Sequence, residues 1–307
     1  MSRLTETQKK FVKVVHKLPF EQFSKSQYAL DYFKSYLQKT HYEAYILDAL
    51  VNEIECPNTF DVVDFGGGIG MLSLMLHIKG YSNIVMVDHN SEACNFAKNM
   101  FKHLHIDVLV LCGSQKEIPS NSSILIARDV VEHIYDFPNF LYREIEQGKL
   151  KEFVFGTSAN PHNLLRKRYF KNIHKKAEEE YYGMRKSYFE KKGMSDEMAL
   201  TKAKITKGLR FCDFENDLKI NTTYSSNTCH PETGNWAERL EKISWYAQII
   251  DDYETWKFSV GLLNWNNREN ALWKKIVFSI INWINAVLKS QTLAPYLIFT
   301  YRKNEKY

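Results

Sequence analysis

No Cys-x-x-Cys pair occurs in this chain. Its cysteines, Cys56, Cys94, Cys112, Cys212 and Cys229, are odd in number and widely spaced. That spacing excludes a disulfide framework and a zinc-ribbon site, and reduced thiols in a cytoplasmic setting are expected. Long hydrophobic runs are missing too. The most apolar stretch, 276–288, is interrupted by Ser279, Asn282 and Asn285 and is too short to span a bilayer. The first ten residues contain no apolar segment of the signal-peptide kind, and no repeat or low-complexity tract stands out. What remains is ordinary soluble material, 44% apolar and 25% charged over 307 residues. That is enough for one large domain, or one domain with a sizeable insertion.

Two glycine signatures are also absent. The chain has no Gly-Lys-Ser/Thr after its glycine-dense turn, which excludes a P-loop, and position 71 is Met where a dinucleotide fingerprint needs Gly. The turn itself, Val62-Val63-Asp64-Phe65-Gly66-Gly67-Gly68-Ile69-Gly70, is an apolar β-branched run ending in an acid and then glycines. A helical pattern follows from Met71. Strand, tight loop and helix N-terminus in that order form the place where an α/β sheet holds a nucleotide-like ligand. Ile84-Val85-Met86-Val87 reads as the next strand and ends at Asp88, 18 residues after Gly70, the spacing of an acid that holds a ribose diol.

Apolar residues, an acid and Gly-x-Gly-x-Gly resemble motif I of the Rossmann-like (class I) S-adenosylmethionine (SAM) methyltransferases. That resemblance implies SAM as cofactor, held by Asp64, Gly66, Gly68, Gly70 and Asp88. Adenine contacts would come from the Cys112-Gly113-Ser114 region, Ser114 in particular, and Asp129 would also face the cofactor.

Elsewhere the periodicity predicts helices before the first strand, then strands at 61–65, 84–88, 107–112, 123–127 and 152–157. Helices at 70–79, 91–103 and 130–147 alternate with them, so the sheet is expected to be parallel with right-handed crossovers. The predicted organisation is an N-terminal helical segment over 1–55, a SAM-binding core over 56–159, a helical insertion or lid over 160–228, and a C-terminal part of the core over 229–307. Within the last part, helices over 235–250 and 268–289 and strands at 255–262 and 296–301 are expected, the two strands forming an antiparallel final hairpin. The default expectation for 268–289 is packing in the core, with a dimer contact or a membrane surface as alternatives. Its tryptophans, like most in the C-terminal third, are expected in the core. Charge gathers in 161–210, with 14 Lys/Arg against 6 Asp/Glu, a net of +8 in a chain of +5. Such a block suits phosphate or another anion, or is simply a solvated helical surface.

The strand at 123–127 runs into Arg128-Asp129-Val130-Val131-Glu132-His133, at the sheet edge where ligands sit. Asp129, Glu132 and His133 could converge on one ion from a helix start, and mixed carboxylate and imidazole donors suit Mg²⁺, Mn²⁺ or Fe²⁺. The same Asp-x-x-Glu is equally a capping box. This turn, the stretch Thr157-Ser158-Ala159-Asn160-Pro161-His162-Asn163, and His230 followed by Trp236-Ala237-Glu238-Arg239 resemble the small-RNA 3′-terminal 2′-O-methyltransferases. The turn alone resembles the ubiquinone-pathway O-methyltransferases. The resemblance implies that Asp129, Glu132, His133 and His230 hold a divalent metal gripping a diol, although this chain departs from it with Asp at the first position. Without a metal, His133 or His230 would be the catalytic general base.

The expected activity is therefore SAM-dependent O-methylation, metal-assisted, of a hydroxylated small molecule or sugar that is anionic or nucleotide-linked. The alternatives are an RNA-terminal 2′-O-methyltransferase and a non-catalytic SAM-binding partner protein. A homodimer is compatible with either, and no transmembrane segment is expected.

Overall fold

The computed structural model describes residues 4–146, 150–214, 228–249, 255–261, 272–288 and 291–302. Three helices open the chain: α1 (Glu6–Val15), α2 (Gln27–Gln38) and α3 (Thr40–Val51). Thr5 and Gln8 close α1 with a capping box, and the Ser26 hydroxyl accepts from Ala29 N at the start of α2. The alternation then runs β1 (Val62–Phe65), α4 (Met71–Ile78), β2 (Ile84–Asp88), α5 (Ser91–Leu104), β3 (Val108–Cys112) and β4 (Ile124–Arg128). It continues with α6 (Phe137–Glu146), β5 (Glu152–Thr157), α7 (Leu164–Lys191), α8 (Asp196–Ile205), α9 (Phe211–Phe214) and α10 (Ile243–Gln248). The last elements are β6 (Thr255–Gly261), α11 (Leu272–Leu288) and β7 (Tyr296–Arg302).

Seven strands form one sheet in the order β3-β2-β1-β4-β5-β7-β6. β1 to β5 are parallel, and β7 runs antiparallel to both β5 and β6. This is the Rossmann-like methyltransferase sheet expected from the sequence, including the final hairpin with a helix between its strands. The central strands are mostly apolar, because helices cover both faces, and their polar residues gather toward the carboxyl ends. Alternate residues of β1 show it: Val62 enters the core shared with α1 to α5, and Val63 the core shared with α6 and α10.

Two expected helices are corrected. The helix expected over 130–147 starts only at Phe137, and residues 131–133 form a single 3-10 turn. Among the described residues of 235–250, only Ile243–Gln248 is helical. Before it, the chain is tied to the β4 turn by Trp236 N donating to His133 O at 3.1 Å and Arg239 N to Glu132 O at 3.0 Å. Backbone donors spent on a neighbouring segment are not free for a helical ladder. The expected insertion is helical: α7 runs from Leu164 to Lys191, Gly193 follows at φ +86°, and Ser195 caps α8. Residues 215–227, 262–271, 289 and 290 from the expected lid, strand and helix lie outside the described residues.

Candidate active site

The carboxyl ends of β1, β2 and β4 open onto one cavity of about 600 Å³. Its floor is the glycine turn. Gly66 has φ +71°, and a Cβ there would sit 2.3 Å from Val130 Cγ2. Only glycine lets the β4 turn press this closely on the loop. Asp88 fixes the turn from β2: Oδ2 accepts from Gly68 N at 2.8 Å and Oδ1 from Asn90 N at 2.8 Å. Asp64 sits beneath, with Oδ2 accepting from the Ser73 hydroxyl at 2.7 Å. Burial pushes the Asp64 carboxyl up to about 7, against the opposing effect of the Ser73 hydrogen bond.

Asp64, Gly66, Gly68, Asp88, Ser114 and Asp129 all line this cavity. Gly70 does not. It sits behind the loop at φ +88°, where a Cβ would meet the Phe101 ring at 2.7 Å, so its glycine serves the packing of α4 on α5.

Tyr28, Tyr32 and Tyr36 of α2 form the opposite wall, four residues apart and stepping along one helix face with ring centroids 6.3 Å apart at each step. Burial pushes the Tyr32 phenol up to about 12, with Arg128 acting in the other direction. The remaining cover comes from Thr233, Gly234 and Asn235. None of the described residues of 160–214 lines the cavity, so the cover expected from the insertion is supplied here by α2 and by 233–235.

Arg128, at the end of β4, anchors this wall. It is ion-paired with the buried Glu43 of α3, donates to the Tyr36 hydroxyl at 2.7 Å, and lies 3.3 Å from Asp129 Oδ2. Burial alone would raise Glu43, but Arg128 and Lys39 outweigh it and hold its carboxyl below the ordinary value.

The β4 turn differs from both sequence expectations. Asp129 adopts φ +51°, and its Oδ1 accepts from Ser158 N at 2.8 Å, so it is not a helix cap. Glu132 does not reach back to complete a capping box. It is buried, and its Oε1 accepts from the Thr157 hydroxyl at 2.7 Å. Burial, followed by the nearby Asp129, raises its carboxyl well above the usual range, which favours the neutral acid.

His133 is clamped by Trp236. The imidazole Nδ1 lies 2.7 Å from Trp236 O while the His133 carbonyl accepts from Trp236 N. A carbonyl can only accept, so Nδ1 carries the proton and Nε2 is the ring nitrogen left with a lone pair. His133 lines the cavity.

The expected metal set is not gathered. His230 is not among the cavity-lining residues; its Nδ1 accepts from Thr233 N at 3.2 Å and its ring packs edge-on against Tyr181. Glu132 does not line the cavity either. Among the described residues, no group of three or more His, Cys, Asp or Glu side chains could hold a metal ion. The donors present do not fit the expected divalent cation. Sequence reasoning missed Arg128 with Glu43, Thr157, and the role of Tyr28, Tyr32 and Tyr36. The four-residue tyrosine spacing was the one signal available for the last group.

Residues 46–122 match the family model of the methyltransferase small domain, a stretch running from α3 through the glycine turn to the end of β3 and beyond. No curated protein matches the chain. Among solved structures, the methyltransferase domain of bacterial CtHen1-C aligns with TM-score 0.45 and 13% identity, over 85% of this chain and 98% of that one. The tRNA (uracil-54, C5)-methyltransferase of Pyrococcus abyssi, in complex with S-adenosyl-L-homocysteine, aligns with TM-score 0.33 and 16% identity, over 39% of this chain and 29% of that one. The geranyl diphosphate C-methyltransferase of Streptomyces coelicolor A3(2) aligns with TM-score 0.36 and 16% identity, over 51% and 66%. The chain thus spans less than a third of the Pyrococcus protein and about two thirds of the Streptomyces one.

Proposed function

We propose that this chain, whose Rossmann-like core is that of a class I SAM-dependent methyltransferase, transfers the methyl group to a hydroxyl of a small acceptor, with His133 as general base. One observation carries the reading: His133, with its proton fixed on Nδ1, lines the same cavity as the glycine turn and Asp88. A cavity of about 600 Å³ is of the size that takes a cofactor and a small acceptor together.

In this reading the glycine turn, Asp88, Gly113 and Ser114 would hold SAM, Asp88 serving its ribose, and SAM would supply the methyl group. The acceptor enters between Tyr32 and the β4 turn. The acceptor oxygen attacks the methyl carbon in line with the departing sulfur. The new O–CH₃ bond forms as the C–S bond breaks, and that electron pair stays on the sulfur of S-adenosylhomocysteine. The acceptor proton passes to His133 Nε2, and the Trp236 carbonyl steadies the imidazolium that results. Alignment supplies much of the rate, up to ~7–11 kcal/mol where effective molarity is high. The base is needed because a hydroxyl is a poor nucleophile at neutral pH.

The test is a screen of hydroxylated small molecules with methyl-labelled SAM, followed by mass spectrometry of the product. An O-methyl product formed by wild type and lost in His133→Ala supports the reading. A C- or N-methyl product formed equally by both would overturn it.

A further inference from the structure

We propose that the outward face of α11, together with the start of α7, docks the protein on a membrane surface rich in anionic lipid. Helix α11 turns its apolar residues to solvent. Ile276, Ile280, Trp283, Val287 and Leu288 are between 53% and 69% exposed, whereas Asn282 is 5% exposed. At 3.6 residues per turn the five apolar residues share one side and Asn282 lies opposite them. The expectation of core packing is thus reversed, with a polar side chain inward and an apolar stripe outward.

A second exposed apolar patch lies on α7. At the start of α7, Leu164 and Leu165 are 78% and 81% exposed, and Tyr169 is exposed as well. The two patches are tied together. Asn160 Nδ2 donates to Gln291 O and Ala294 O, each at 2.8 Å, and Asn163 Nδ2 to Ala294 O at 3.2 Å. These bonds hold the chain leaving α11 against the chain entering α7. Two exposed apolar patches on elements tied in this way mark an interaction site.

Charge selects the partner. Residues 164–176 contain six Lys/Arg and no acid, and 272–288 contain Lys274 and Lys275 and no acid. A second copy of this chain would bring cations against cations. An RNA would use the cations and stack on Trp283 or Tyr169, but it would leave Ile276, Ile280, Val287, Leu288, Leu164 and Leu165 in water. An anionic bilayer surface uses both, since apolar side chains enter the headgroup boundary while Lys and Arg meet the lipid phosphates. No helix among the described residues is long and apolar enough to cross a membrane, so the contact is a surface one.

The test is co-sedimentation of the full chain with phosphatidylcholine vesicles, with and without phosphatidylglycerol. Binding to the anionic vesicles is expected, weakening as salt rises, with little binding to the neutral ones. Ile280→Asp with Trp283→Asp should abolish it, and Lys167→Glu with Arg168→Glu should weaken it about tenfold or more. All four positions are exposed, and circular dichroism with S-adenosylhomocysteine affinity reports that each variant is folded. Three results would overturn the proposal: no vesicle binding by the folded chain, equal binding to both vesicle types, or vesicle-independent dimerisation that Ile280→Asp with Trp283→Asp breaks. Binding of a short RNA without vesicle binding would overturn it as well.

Discussion

Removing the Glu43 carboxylate should be among the most damaging single changes to this fold outside its apolar core. The side chain is fully buried in α3 and pairs with two cations, Lys39 at 2.9 Å and Arg128. Arg128 is itself only 16% exposed and keeps Asp129 and the Tyr36 hydroxyl when Glu43 is lost. Breaking a buried pair by deleting one partner leaves an undercompensated charge and costs ~3–5 kcal/mol. Glu43→Ala is therefore expected to lose about that much in urea unfolding, with the denaturant slope unchanged. Replacing both partners, Glu43→Leu with Arg128→Met, should recover most of the loss, because well-packed apolar residues avoid the desolvation of the pair. The pH dependence has a fixed sign. The folded carboxyl lies below its ordinary value of 4.5, so its contribution is present above that value and is lost as pH falls through the folded pKa. The penalty of Glu43→Ala should be full at pH 7 and shrink on acidification. A loss below about 1 kcal/mol at pH 7 would refute the reasoning and place the pair among weak surface contacts.

Asp64 should behave in the opposite way. Its carboxyl is raised from 3.8 to about 7, so the unfolded chain ionises first and this group's contribution falls as pH rises through that window, by on the order of 4 kcal/mol. Asp64→Asn should flatten the dependence between pH 5 and pH 8 in urea midpoints, and an unchanged slope would contradict it. Asp88→Ala should weaken S-adenosylhomocysteine binding in calorimetry by ~1–3 kcal/mol, since both the loop hydrogen bond and the expected ribose contact are lost. Unchanged affinity would remove Asp88 from the site. His230→Ala and chelation should each leave turnover within about threefold, less than the tenfold that 1.4 kcal/mol would give. A chelator-sensitive enzyme restored by Mg²⁺, Mn²⁺ or Fe²⁺ would reinstate the metal reading.

The legible parts of this chain are those whose chemistry is local. Val62-Val63 followed by glycines, and Ile84 to Val87 ending at Asp88, specify strand and turn within a few residues, and the structure has them as expected. The β4 turn was not legible, because Asp-x-x-Glu has the pattern of a cap while Asp129 and Glu132 take partners from the β5 end, Ser158 and Thr157. Likewise, Trp236, Ala237 and Arg239 have helical spacing, yet their backbone donors go to His133, Thr228 and Glu132. Such partners are set by tertiary packing and leave no mark on sequence spacing. Periodicity also assigns a face without saying what meets it. The α2 face carrying Tyr32 and Tyr36 is partly cavity wall, and the apolar face of α11 meets solvent.

The central claim is that His133 acts on the acceptor and not on the cofactor. Turnover and S-adenosylhomocysteine affinity of His133→Ala, measured on one preparation with an acceptor from the screen, test it most directly. The account predicts that turnover falls by ~10²–10⁴-fold, the usual contribution of a general base, while affinity stays within about twofold. Turnover close to wild type, or a loss of affinity matching the loss of turnover, would contradict it.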